Sequence, residues 1–246
     1  MTDDGRYLLS VVSPRGHGAS LYVRSRTNDA ATVHSTFWAP NGILHDEYEL
    51  AKLHLTGWAL DIGAHVGSVA LALAIDNPDL KVIAVEAVPE NAALLQASVE
   101  YLALTERVFV ISASAGQEGQ DFDYIRYGYY DVPGIPEEHA EQVRYIGGLF
   151  REHSLSEITL QVPVVSLEAI RARFGIDRFS FCKIDCEGCE WAFLATPAVE
   201  CIDLFIGEFH DRGFGPLGAL LGKTHDVEIT KPSADEGIGL FRATRR

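Results

Sequence analysis

Six side chains suited to acid–base or ion-binding chemistry fall at or just after the ends of apolar runs: Asp61, Glu86, Asp185, Glu187, Glu208 and His210. Asp61 closes the run Gly57–Asp61, and a turn with glycines at Gly63 and Gly67 follows. Val66, Val69, Ala70, Leu73 and Ala74 then repeat at helical spacing. A strand, a glycine turn and a helix in succession expose backbone N–H groups where a ligand can come close. The acid at the strand end would repel a phosphate and welcome a cation. Glu86 closes the next run, Leu80–Glu86, 23 residues after Gly63. An acid at that place hydrogen-bonds both hydroxyls of a ribose.

Asp61 and Glu86 together point to an adenosine ligand with a positive charge and no phosphates, which S-adenosylmethionine satisfies. The spacing Gly63-x-x-x-Gly67 is not the Gly-x-Gly-x-x-Gly of a dinucleotide fold. A nicotinamide-dependent oxidoreductase is therefore the weaker rival, beside a non-catalytic module that binds S-adenosylmethionine. His65 is read as shaping the turn rather than reacting.

The later acids form two groups. Lys183-Ile184-Asp185-Cys186-Glu187-Gly188-Cys189-Glu190 reads as strand, acid, glycine turn and helix, and Gly207-Glu208-Phe209-His210 ends the following strand. In open α/β sheets ligands sit over such strand ends, so these acids are expected along one rim with Asp61 and Glu86. His210 is the first candidate base, because an unperturbed imidazole titrates near neutrality. Asp185 is the second. Asp185, Glu187 and Glu208 form an alternative site for one Mg2+ that would orient a diol and lower its pKa. Lys183 shares a strand face with Asp185 and is expected to pair with an acid. Cys182, Cys186 and Cys189 have C-x3-C-x2-C spacing, which suits an iron–sulfur cluster or zinc. Against that, Cys182 lies inside a predicted strand, and free cysteine is commonly a small buried hydrophobe.

These residues need elements to carry them. Residues 7–12 and 20–25 read as a hairpin around Ser13-Pro14-Arg15-Gly16-His17-Gly18, with His17 as a solvated turn residue. His45–Leu55 looks helical. Pro89 starts a helix to about Leu102, at the first-turn position proline favours, and Arg107–Ile111 is a third strand. This βαβαβ order implies a mostly parallel sheet with helices on both faces. Residues 114–160 hold Tyr124, Tyr127, Tyr129, Tyr130, Tyr145, Pro133 and Pro136, and read as an insertion or irregular cap whose aromatics pack the cap or line a pocket. Ser166 caps a helix through Arg173. Phe179–Asp185 is a strand, Gly188–Ala195 a helix stopped by Pro197, and Cys201–His210 a strand. His225–Thr230 and Ile238–Arg242 finish as a hairpin-like edge. No linker divides residues 1–246, so a single domain is expected.

The chain has 246 residues, 47% of them hydrophobic, and a formal net charge of −15. That charge disfavours a general binder of nucleic-acid backbones. The acidic start, Met1-Thr2-Asp3-Asp4-Gly5, has no apolar core, and Val66–Ile75 is too short to span a bilayer. A cytoplasmic protein acting on a small molecule, with no membrane partner, is the expectation; monomer and homodimer stay open.

At these motifs the sequence resembles the FkbM family of S-adenosylmethionine-dependent methyltransferases. Asp61-Ile62-Gly63-Ala64-His65-Val66-Gly67 resembles its first motif, and Val85-Glu86-Ala87-Val88-Pro89-Glu90-Asn91 its ribose segment. Ser112-Ala113 resembles the segment near adenine. Val165-Ser166-Leu167-Glu168, the Lys183–Glu190 run and Glu208-Phe209-His210 follow in the family's order. Tyr48-Glu49 resembles a segment upstream of the first motif. Cys186 and Cys189 depart from the small aliphatic residues more common there. The resemblance implies a Rossmann-like class I methyltransferase fold, here with an N-terminal β-hairpin. It also implies a cofactor site at Asp61, Gly63, Ala64, His65, Gly67, Glu86, Ala87, Ser112, Ala113 and Asp185, and catalysis by His210, Asp185 and Glu208. The activity it suggests is O-methylation of a sugar or secondary-metabolite hydroxyl. Residues 1–44 and 114–160 lie outside the likeness and would set substrate choice.

Overall fold

The computed structural model describes residues 5–25, 27–130, 143–145, 157–210, 212, 214–232 and 237–246. Its centre is a seven-stranded sheet. In chain order the strands are β3 (Gly57–Ile62), β4 (Leu80–Glu86), β5 (Val108–Ser112), β10 (Phe181–Ile184), β11 (Leu204–Phe209), β12 (His225–Pro232) and β13 (Gly239–Arg245). Across the sheet they run β5-β4-β3-β10-β11-β13-β12. The first five are parallel, and β13 lies antiparallel between β11 and β12. The chain winds outward from β3 to β5, then returns to the middle and winds the other way from β10. The crevice between β3 and β10 is thus the switch point at which such sheets bind ligands.

Helices α2 (Ser68–Asp76), α3 (Pro89–Tyr101), α4 (Leu167–Phe174), α5 (Glu190–Phe193) and α6 (Phe214–Leu221) connect the strands. The side-chain period of two sorts the parallel strands into two cores. Ala59, Phe181 and Ile206 enter the layer with α2 and α3, whereas Leu60, Ile62, Cys182, Ile184 and Phe205 enter the layer with α4 and α6. The Ser166 hydroxyl caps α4 by accepting from the Ala169 amide at 3.1 Å, as expected. No helix among the described residues is long and apolar enough to cross a membrane.

The N-terminal hairpin is present as β1 (Arg6–Val12) and β2 (Gly18–Arg24), but it is followed by an unforeseen helix, α1 (Asp29–Thr36). α1 packs on α2 and β2 on α3, and together they close the core around α2, a helix apolar on nearly every side. The hairpin loop is latched to the end of α2. Ser13 Oγ donates to Asp76 Oδ1, the Arg15 amide to Asp76 Oδ2 at 3.1 Å, and His17 Nδ1 lies 2.8 Å from Asp76 Oδ1. His17 is therefore a latch and not merely a solvated turn residue. An acid in the last turn of a helix opposes the helix dipole, so these contacts must offset it.

Two further expectations are corrected. Residues 45–55 are not a helix: only Leu50–Lys52 forms a short 3-10 turn. The Asp46 carboxylate takes the Leu50 and Ala51 amides at 2.6 and 2.9 Å, and Asp46 and Glu49 adopt positive φ, so a longer helix cannot start. The 114–160 segment is not simply an irregular cap. Its described part is a four-stranded sheet, ordered β6-β9-β7-β8, of β6 (Ser114–Gly116), β7 (Phe122–Tyr130), β8 (Val143–Tyr145) and β9 (Glu157–Ser166). The dense tyrosines are strand formers. Pro133 and Pro136, and the side chains of the five tyrosines, lie outside the described residues. Ile125 and Val162 of this sheet pack on Val88, beside the switch point.

Asp76→Ala removes the acceptor shared by the buried Ser13 hydroxyl, the Arg15 amide and His17. It should lower stability by about 1–3 kcal/mol in urea titration, an ordinary cost for unpaired polar groups; an unchanged midpoint would show the hairpin loop to be unimportant for α2.

Candidate active site

A buried lysine joins the two central strands at the switch point. Lys183 of β10 is 4% exposed and lies in register beside Asp61 of β3. Its Nζ donates to Gly63 O at 2.7 Å and stands 3.5 Å from Asp61 Oδ1 and 3.8 Å from Asp185 Oδ2. Burial alone would lower this amine, but the carboxylates of Asp61, Asp185 and Glu86 hold it above its ordinary value. Asp61 Oδ2 accepts the Ala70 amide at 2.9 Å. Asp61 is fully buried under the glycine turn and is not among the residues lining the cavity above it. In this position its carboxylate holds the turn.

The turn needs glycine for a stated reason. Gly63 has φ +77°, and a Cβ there would stand 1.8 Å from Asp185 O, so the β3 and β10 backbones approach only because no side chain intervenes. Gly67 has φ +92° and caps α2.

The cavity opens above this junction. Of the expected cofactor residues, Gly63, His65, Glu86, Ala87, Ala113 and Asp185 line it. Ala64 is buried beneath, Gly67 caps the helix, and Ser112 is exposed at the end of β5, its expected place taken by Ser114. Glu86 is 6% exposed: Oε2 accepts the His65 amide at 2.7 Å, and Oε1 accepts the Val88 amide at 2.9 Å and Asn91 Nδ2 at 3.2 Å. The carboxylate is thus fixed by the turn it helps to form, with one acceptor site on Oε2 left at the cavity wall.

The N-terminal segment contributes a wall that the sequence did not announce. Asn28 and Thr32 line the cavity. Arg24 grips Asp29 through Nε and Nη2 at 2.8 Å each and donates to Asn91 Oδ1 at 2.6 Å, which in turn reaches Glu86. His65 Nε2 lies 3.7 Å from Asp29 Oδ1. The residues fit an adenosine-bearing sulfonium. Ile62, Val85, Ala113 and Ile125 offer apolar surface for a flat base, Glu86 faces hydroxyls, and Asp185 and Glu187 face positive charge.

Beside the cavity the later acids converge, as expected, on His210. Its Nε2 lies 3.4 Å from Glu187 Oε2, 3.9 Å from Glu208 Oε2 and 4.0 Å from Asp185 Oδ1. Its Nδ1 lies 3.2 Å from Glu190 Oε1, which also accepts the His210 amide at 2.8 Å. Burial would lower the imidazole, but the Glu190 hydrogen bond and the Glu187 and Asp185 charges push it up to about 9. Burial lifts Glu187 to about 7 against the pull of His210. Tyr48, buried, donates its hydroxyl to Asp185 Oδ2 at 2.8 Å. Only its Tyr-Glu pair hinted at this role. Asp185, Glu187 and His210 each offer a donor atom within 4.8 Å of the others; the all-carboxylate set with Glu208 is not the one assembled. Cys186 and Cys189 are disulfide-bonded to each other, and Cys182 is buried within β10, so the three-thiolate cluster is not formed.

A sheet of five parallel strands closed by an antiparallel β12–β13 edge, with an acid-bordered cavity at its switch point, is the class I fold of S-adenosylmethionine-dependent methyltransferases. The model of the methyltransferase FkbM domain matches residues 61–230, more than half of the chain. The chain belongs to that family, which displaces the nicotinamide-dependent alternative. It is also 38% identical over 81 residues to the release factor glutamine methyltransferase of Salmonella typhimurium, a match covering 32% of this chain and 29% of that protein. It therefore spans less than a third of the curated relatives it matches. Among solved structures it is similar to a precorrin-6y C5,15-methyltransferase from Geobacter metallireducens, with TM-score 0.47, 11% identity, and coverage of 85% of this chain and 93% of that one. It is also similar to M. capricolum TrmK in complex with S-adenosyl-homocysteine, with TM-score 0.42, 11% identity, and coverage of 80% and 66%.

The two acids of the first motifs should separate experimentally. Glu86→Ala should weaken S-adenosylhomocysteine binding at least tenfold by calorimetry while the chain stays folded. Asp61→Ala should instead unfold early, by about 3–5 kcal/mol, because it strands a buried ammonium. Equal effects on affinity and none on stability would return Asp61 to the ligand.

Proposed function

We propose that the chain transfers a methyl group from S-adenosylmethionine to a hydroxyl of a small molecule. The observation that carries this reading is the rim of Asp185, Glu187, Glu208 and His210 standing beside the cofactor cavity. Bound S-adenosylmethionine supplies an electrophilic methyl on a sulfonium. Glu86 holds the ribose side, and Asp185 and Glu187 draw the positive end toward the rim. Holding an acceptor oxygen in line with that methyl is the main task, since oriented pairs gain on the order of 7–11 kcal/mol.

A hydroxyl also has to lose its proton, and the rim is where it can go. His210 is the weaker candidate, because, despite burial, the Glu190 hydrogen bond and the neighbouring carboxylates raise its imidazole above its ordinary value. Asp185 is tied to Tyr48 and lies beside Lys183. Glu208 projects at 30% side-chain exposure, and among the described residues no hydrogen bond fixes it. It is the group we assign as the base. The acidic rim and a net charge of −15 repel phosphate-rich acceptors, which supports a small hydroxylated molecule over a nucleic acid.

The test is incubation with methyl-labelled S-adenosylmethionine and panels of monosaccharides, phenols and aliphatic alcohols, with the product mapped by NMR. Label on oxygen supports the reading. Label on nitrogen or carbon, or no transfer by a chain that binds S-adenosylhomocysteine, overturns it. On the acceptor so found, Glu208→Gln should lower kcat by roughly 10²–10⁴, with unchanged cofactor affinity.

A further inference from the structure

We propose that Asp185, Glu187 and His210 form a binding site for one divalent transition ion, from Mn2+ to Zn2+, in preference to Mg2+. What the ion would do there rests on the methyl-transfer reading; that it binds does not. Three features beyond the gathering of acids point to it. First, the set includes an imidazole from a side chain only 7% exposed, whose Nε2 faces Glu187, Glu208 and Asp185 at 3.4, 3.9 and 4.0 Å and would exchange its proton for the ion. Second, the outer partners are those that metal ligands use. Glu190, fully buried, holds the opposite ring nitrogen and so orients the ring from behind, while Trp191 Nε1 fixes the His210 backbone by donating to its carbonyl at 2.8 Å. Tyr48 occupies Asp185 Oδ2 and leaves Oδ1 directed toward the imidazole. Third, the spacing is right. Metal–ligand lengths of about 2.0–2.2 Å place neighbouring donors roughly 3.0–3.5 Å apart. The imidazole stands 3.4 Å from Glu187 and 4.0 Å from Asp185, and the three donors lie within 4.8 Å of one another, a set that closes on an ion with small rotations.

The donor set chooses the ion. Magnesium takes oxygen ligands and keeps several waters, whereas an imidazole favours the first-row ions. Three protein ligands leave open positions at which an acceptor oxygen can bind and become more acidic. Glu208 Oε2, 3.9 Å from His210 Nε2, then stands beside that position to receive the proton.

The test uses the full chain, dialysed against chelator and then titrated with Mn2+, bound ion being read from loss of the free-ion electron paramagnetic resonance signal. One Mn2+ per chain is expected, with affinity at least 100-fold weaker in His210→Ala and in Asp185→Asn, and about tenfold weaker in Tyr48→Phe. Circular dichroism and the urea midpoint of each variant report that the fold is intact. A tenfold excess of Mg2+ should not displace the Mn2+. Equal retention of Mn2+ by wild type and both ligand variants overturns the site, as does no retention at millimolar Mn2+. Displacement by Mg2+ overturns the choice of ion. A chain that binds S-adenosylhomocysteine but no Mn2+ loses this inference alone; one that binds Mn2+ but no S-adenosylhomocysteine loses the methyltransferase reading instead.

Discussion

One buried ammonium sets the geometry on which the rest of this site depends. Lys183 reaches across from β10 to the last carbonyls of β3 and lies between Asp61 and Asp185. An isolated charge at that depth would be very costly, so the three groups are stable only together. Their mutual requirement fixes how far apart two parallel strand ends stand, and Gly63 lets them approach to backbone contact. The turn above is then held from below by Asp61 and from the side by Glu86. The cavity has its shape before any ligand arrives, and side chains placed before binding lose little freedom when it does.

The same economy explains why the N-terminal segment is more than a cover. Glu86 is buried and needs donors; it draws them from the turn, from Asn91 and, through Asn91, from Arg24. Arg24 is in turn neutralised by Asp29, which sits near His65. Charge therefore alternates along these contacts from the hairpin toward the cavity wall.

Much of this was legible in the chain, and the failures have identifiable causes. β4 and α3 were readable almost to the residue, because an acid ends the strand and Pro89 opens the helix. The rim was readable because a strand ending in an acid places that acid over the sheet, whatever its partners. By contrast, the α1 segment Asp-Ala-Ala-Thr-Val-His-Ser-Thr has little amphipathic pattern, and α6 hides behind Gly215, Pro216 and Gly218. Local periodicity misled over 45–55, where one aspartate diverts the amides a helix would use. The 114–160 segment looked irregular because β9 pairs with both β6 and β7, a registry no local window displays. Roles set by distant contacts were the least visible: Tyr48 meets Asp185 across 137 residues of chain, and nothing in either neighbourhood signals the other.

The arrangement also explains why the first motif carries an acid before its glycines and lacks the Gly-x-Gly-x-x-Gly of a phosphate-binding turn. A phosphate site works by collecting N–H groups and positive charge. Here the turn's amides are already spent, those of Gly63 and Ala64 on Val85 O and that of His65 on Glu86, and the cation at the switch point is spent on Asp61 and Asp185. What faces outward is negative: Glu86 on one side, Asp185, Glu187 and Glu208 on the other. Such a cavity attracts a cationic cofactor from solution and, once a sulfonium is bound, the net charge beside the rim falls. On the proposed reading, an uncharged hydroxyl would then enter a space closed to an anion, with a carboxylate beside it to take the proton. One distribution of charge, fixed by a few strand-end residues, would select both reactants.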